Sequence, residues 1–176
     1  MPPGSPDLTV GNAAGLGGFT FIARFGIGDA GAVAQAQMFA GVTSATSAPT
    51  GTIEPSTFTN SIGMGHGNPA ANCKIFYGGS AAQTPIDLGA SFPCNTRSTD
   101  MYELILFSPN NVNNVVNYRV TNLSTSAQTS GQLTGTAGTV LPSSTTLLGP
   151  MLMRDNGGTA AATTLHINKV YIETDY

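Results

Sequence analysis

Apolar side chains recur at every second position in segment after segment of this chain, a period that fits strands and not helices. In "GFTFIARFGIG" the residues Phe19, Phe21, Ala23, Phe25 and Ile27 share one face, with Thr20, Ile22 and Arg24 opposite. "MYELILFSPN" sets Tyr102, Leu104 and Leu106 against Glu103, Ile105 and Phe107, which predicts a strand buried on both faces apart from Glu103. In "VVNYRVTNLST", Val116, Tyr118, Val120 and Asn122 alternate with Val115, Asn117, Arg119, Thr121 and Leu123. The C-terminal "TTLHINKVYIETDY" carries Leu165 and Ile167, then Val170 and Ile172. That switch from odd to even positions predicts a bulge or corner near Asn168.

One segment leaves the choice open. "GDAGAVAQAQMFAG" is Ala-rich and compatible with a helix, but its flanking Gly31 and Gly41 favour a strand. Such a strand puts Val33, Gln35, Gln37 and Phe39 on one face and Ala34, Ala36, Met38 and Ala40 on the other. Between the runs lie "PNNVNN", "TSG", "DNGG", "YGGS" and "GHGNP", all with turn chemistry. Many short strands with Gly-rich connections predict an all-β fold, an antiparallel β-sandwich or jelly roll. No repeat of fixed period is present, which excludes a propeller or solenoid. The long polar loop "TSATSAPTGTIEPSTFTNS" is of the kind that is functional or disordered.

The 176 residues fit a single domain, which buries roughly 70% of its unfolded surface. We expect a polar, Pro- and Gly-rich lead-in over 1–16 and one sandwich over 17–176. The opening "MPPGSPDLTVG" lacks the pattern of a secretion signal and reads as a cut point from a longer chain.

Charged residues make up 9% of the chain, against about 25% in ordinary globular domains. From Asn110 to Gly135 the one charge is Arg119, and Asn, Gln, Ser and Thr wet the surface instead. The six basic residues, Arg24, Lys74, Arg97, Arg119, Arg154 and Lys169, form no stripe, so nucleic acid is not an expected partner. No apolar run approaches the ~20 residues of a membrane helix, so membrane insertion is not expected. Cys73 and Cys94 are too few for a disulfide scaffold or a structural zinc site. Without a secretion signal, free thiols are favoured over a bridge, which stays open as the alternative.

Phrases such as "MFAGV", "IGMGHG" and "VYIETD", set in this order of strands over residues 17–176, resemble the concanavalin A-like, or laminin-G-like, domain at the distal end of bacteriophage tail fibres and tailspikes. The resemblance implies a homotrimer that is not an enzyme, sits on the virion behind an upstream fibre shaft, and binds a polysaccharide or lipopolysaccharide of the bacterial host. A structural module that trimerises the fibre or decorates a capsid is the alternative from another class.

Individual residues carry weaker signals. Glu173 and Asp175 project to one face of a strand, as an acidic pair in a glycanase would, but a third acid is missing and no catalytic residue is expected. His66 and His166 with Asp29 or Asp155 would be a sparse metal set, and neither a metal nor a cofactor is expected. "RDNGG" from Arg154 to Gly158 has hairpin-turn chemistry rather than that of a calcium loop. No nucleophile elbow or phosphate loop is present. Without tryptophan, a sugar site would rest on tyrosine and loop polar groups. The expected ligand-binding residues are His66, Asn68, Tyr77, Arg97 and Asp100, with Tyr77 near a surface and Tyr102 and Tyr118 in the core.

Overall fold

A computed structural model describes residues 8–31, 33–47, 54–68, 71–94 and 99–175. The described residues form ten strands: β1 (Phe19–Ile27), β2 (Gln37–Thr43), β3 (Ser61–His66), β4 (Lys74–Gly78), β5 (Ile86–Asp87), β6 (Met101–Ser108), β7 (Val115–Asn122), β8 (Gln128–Thr134), β9 (Gly149–Asp155) and β10 (Leu165–Thr174). One 3-10 turn, Pro55–Thr57, interrupts the loop between β2 and β3. The strands form two antiparallel sheets of five, in the orders β10-β1-β6-β7-β8 and β5-β4-β3-β2-β9. We call these the first and second sheet. Among the described residues no helix is long and apolar enough to cross a membrane.

The alternation read from the sequence is the alternation that packs. Phe19, Phe21 and Phe25 of β1, Leu104 and Leu106 of β6, and Val116 and Val120 of β7 turn inward from the first sheet. They meet Met38, Ala40 and Val42 of β2, Ile62 and Met64 of β3, and Ile75 of β4. Burying each large apolar side chain stabilises the fold by about 1.5–3 kcal/mol before entropy is subtracted. The β1–β10 ladder changes register between Arg24 and Phe25, whose partners are Lys169 and Ile167. Asn168 is therefore the additional residue, and the bulge lies where the switch of alternation predicts it.

Four expectations need correction. The Ala-rich segment enters its strand only at Gln37, and Ala36 N–H closes a turn onto Val33 O. The core reaches into the lead-in: Leu8 and Val10 are fully buried, and Leu8 exchanges backbone hydrogen bonds with Leu148. β6 is not buried on both faces, because Phe107 on its outer side is 41% exposed. Alternation reports two faces but does not say whether anything covers the second.

The fourth correction concerns the cysteines, which are bridged. Cys73, just before β4, and Cys94 are both fully buried, with Cα atoms 4.8 Å apart. Backbone bonds from Cys73 N–H to Phe92 O and from Cys94 N–H to Ala71 O hold the two segments side by side. A span of 21 residues through β5 thus returns to its start, which spacing alone does not reveal. Replacing both cysteines by alanine is expected to lower unfolding stability by about 3 kcal/mol, measured by urea denaturation. A loss of under about 1 kcal/mol would show that the surrounding ladder closes this loop unaided.

Candidate functional site

Three polar arrangements stand out, and the first is sealed. His66 on β3 and Arg154 on β9 both pair with Met38 of β2 across one row, and Met38 lies in the core. That row therefore faces inward. Asp29, just after β1, meets it from the first sheet. Arg154 Nε donates to Asp29 Oδ1 and Oδ2 at 3.1 and 3.0 Å, and its Nη2 donates to Oδ2 as well. Asp29 Oδ1 also accepts the Thr164 N–H at 2.7 Å.

Arg154 Nη1 lies 2.7 Å from His66 Nε2. A guanidinium only donates, so this nitrogen accepts and the ring is neutral with its proton on Nδ1. Nδ1 donates to Gly67 O at 3.2 Å. Burial lowers the His66 pKa to about 4, and the Arg154 charge adds to that shift. Burial alone would raise the Asp29 carboxyl. Hydrogen bonds from Arg154 and Thr164 and the Arg154 charge outweigh it and hold the carboxyl below its ordinary value. His66, Asp29 and the Arg154 side chain are almost wholly enclosed. This chain ties the two sheets together and offers no surface to a ligand.

The second arrangement lies on the opposite side of the second sheet. Phe39, Phe76 and Met153 form a small apolar cluster there, and Phe58 covers it, edge-on to Phe39 at 5.3 Å. Beside it Glu54 accepts a 2.9 Å hydrogen bond from the buried Gln37 Nε2 and bonds to both of its oxygens from the Asn68 N–H at 3.0 Å. A side chain at Gly67 would run into the Glu54 carboxylate, so glycine there allows the close approach. Gln37 Oε1 is buried and finds no partner among the described residues.

The third is the outer face of the first sheet, where cross-strand registers set side chains in rows. One row runs Glu173, Thr20, Phe107, Asn117 and Gln132. The next runs Tyr171, Ile22, Ile105, Arg119 and Ser130, and a third Lys169, Arg24, Glu103, Thr121 and Gln128. Gln132 Nε2 donates to Asn117 Oδ1 at 3.0 Å and Gln128 Nε2 to Thr121 Oγ1 at 3.1 Å. Glu103 takes Arg24 at 2.7 Å and Arg119 at 3.9 Å. An exposed phenyl ring at Phe107 thus stands beside a ladder of amides.

The residues expected to bind ligand have differing surroundings. His66 is buried, and Asn68 is exposed with its backbone on Glu54. Tyr77 is half-buried, packs on the core, and lies near enough Tyr118 to reinforce the burial that raises the Tyr118 pKa. Asp100 takes hydrogen bonds from Asn122 Nδ2 at 2.9 Å and Thr99 Oγ1 at 3.2 Å. Arg97 lies outside the described residues.

Tyr102 is in the core as expected, its hydroxyl bonded to Pro93 O, and burial raises its pKa. "DNGG" is a turn: Gly157 and Gly158 have positive φ, and their N–H groups bond to Asp155 and Asn156 side chains. No group of three or more His, Cys, Asp or Glu converges for a metal among the described residues. Glu173 on β10 and Asp175 just past its end are exposed, and Glu173 accepts the Tyr171 hydroxyl at 2.8 Å. Sequence reading missed Glu54, Gln37 and the Phe107 row. One signal for Glu54 was visible: it is the single charge in the long polar loop.

No protein-family model matches the chain, and no curated protein matches it by sequence. Solved structures do share the fold. Peanut lectin, in a structure with a nine-residue peptide, is similar at TM-score 0.58 and 12% identity, over 95% of this chain and 75% of that one. Arcelin-5, a lectin-like defense protein from Phaseolus vulgaris, gives 0.53 at 9% identity, over 99% and 88%. Scytalido-glutamic peptidase, with a transition-state analogue inhibitor, gives 0.54 at 10% identity, over 96% and 79%. These likenesses establish a lectin-like β-sandwich. They also correct the expectation that the chain is not an enzyme, because the same sandwich is the scaffold of a peptidase.

The sealed chain generates a pH dependence. An unfolded His66 titrates near 6.5 and the folded one near 4, so the unfolded state takes up the proton first as pH falls. The stability held by neutral His66 is complete above about pH 6.5 and is lost toward pH 4, on the order of 3 kcal/mol in all. Replacing His66 by Gln is expected to flatten the slope of unfolding stability across this window. An unchanged slope would contradict the assignment.

Proposed function

We propose that this chain recognises a glycan on a bacterial surface, as the receptor-binding module at the tip of a phage tail fibre, and that the sugar lies on the outer face of the first sheet. The observation that carries the binding site is the row Phe107, Asn117 and Gln132. A sugar ring has an apolar C–H face and a rim of hydroxyls. The exposed Phe107 ring suits the first. Amides that both donate and accept suit the second, and the Gln132–Asn117 bond fixes their orientation before a ligand arrives. The lectins that share the fold support the reading, and the fibre setting rests on the resemblance of the strand phrases. On a virion several copies meet one repetitive glycan, so weak contacts combine.

The test is adsorption of the purified protein to bacterial cells and to their extracted lipopolysaccharide. Phe107→Ala is expected to weaken binding about tenfold, as loss of a stacking ring of roughly 1–1.5 kcal/mol would, with folding intact because the ring is on the surface. Binding indifferent to Phe107→Ala and Gln132→Ala together would overturn this site.

A second reading has its own observation, the Glu54–Gln37 pair with its unpartnered buried oxygen. A carboxylate held in place by an amide donor is an arrangement for activating water as a general base, and a peptidase is among the proteins that share the fold. Cleavage of a denatured protein substrate by the parent and not by Glu54→Gln would support it. No cleavage by the parent would remove it.

A further inference from the structure

Among the described residues β10 is the longest strand, and it lies at an edge of the first sheet. Among the described residues no strand pairs with its open side. Edge strands are usually kept apart by proline, by shortness, by bulges or by charged side chains. β10 has the bulge at Asn168 and two charges of opposite sign on its outer face, Lys169 and Glu173, but it is long and has no proline. It leaves Ile167, Val170 and Tyr171 at 53%, 42% and 42% exposure, on both faces of the sheet.

The backbone has a definite register to offer. Asp175 N–H donates to Gly18 O in line with the β1 ladder. Successive residues of an antiparallel strand point their N–H and C=O groups to opposite sides. Lys169, Tyr171 and Glu173 therefore bond to β1, while Val170, Ile172 and Thr174 present theirs to the open edge.

We propose that this edge pairs with the same edge of a second copy of the chain, antiparallel and centred on Tyr171. In this register Val170 faces Ile172 of the other copy, and both have free backbone groups to exchange. Lys169 faces Glu173 of the other copy on the outer face, and symmetry makes that pair twice. The two Tyr171 rings meet at the axis. Centring the pair on Val170 leaves both charges unmatched; centring it on Ile172 sets Glu173 against Tyr171 and Lys169 against Asp175, which lies past the end of β10 and outside its ladder. A two-fold contact of this kind closes at two copies, unlike the threefold assembly that the resemblance implies. Its axis is perpendicular to the sheet, so the Phe107 faces of both copies look the same way. The pairing itself does not depend on what those faces bind.

The experiment is solution mass by light scattering over a range of concentrations, with the full chain. Two copies of 17.9 kDa are expected. Lys169→Glu or Glu173→Lys alone sets like charges opposite each other twice and is expected to raise the dissociation constant about tenfold or more. The double exchange restores opposite charges and is expected to restore the dimer. The proposal is overturned by a monomer throughout, by a mass of three copies, by a dimer that both single reversals leave unchanged, or by a double exchange that stays dissociated. Glycan binding by a monomer would leave the functional reading standing while this one falls.

Discussion

A strand that sends alternate side chains into a core commits the others to the outside, and the rest of this molecule follows from that constraint. Phe19, Phe21 and Phe25 cannot face the second sheet unless Thr20, Ile22 and Arg24 face away from it. The same holds for Leu104 and Leu106 against Glu103, Ile105 and Phe107. Outer faces are thus a by-product of burial, and what separates them is their covering. The second sheet has Phe58 and Glu54 over part of its outer side. Among the described residues the first sheet carries no such layer, and its rows of side chains meet solvent.

The shortage of charge has a physical reading in those rows. Gln132 with Asn117 and Gln128 with Thr121 pair across strands, so amides and hydroxyls orient one another as they wet the sheet. Such a surface does not weaken with salt as a charged one does. The few ions are spent where geometry constrains them. Glu103 is held by arginines of both neighbouring strands, and Arg154 is locked between Asp29 and His66 inside one end of the sandwich. Removing one member of that buried set leaves another without its partner, which is far more costly than losing a surface pair.

Local features were legible in the sequence, and long-range ones were not. Strand faces, the bulge at Asn168 and the turn at Asp155–Gly158 depend on neighbours a few residues apart. The disulfide and the sealed chain depend on where distant segments return: Asp29 and Arg154 are 125 positions apart, and His66 and Arg154 are 88 apart. His66 among glycines looked like a turn residue, yet it ends β3 together with Gly63 and Gly65, where Gly63 lets the Phe39 ring lie across the sheet. Phe107 looked like core because its strand is apolar on both sides. Exposure is a property of the opposing layer, which no single strand encodes.

The most direct measurement is a map of backbone amide chemical shifts on adding host lipopolysaccharide fragments to the isotope-labelled protein. If the glycan lies on the outer face of the first sheet, the shifted amides cluster on β6, β7 and β8 around Phe107, Asn117 and Gln132. Shifts confined to the surroundings of Glu54 and Asn68, or to the loop at Asp100, would contradict that placement, and no shifts with any fragment would contradict glycan recognition itself.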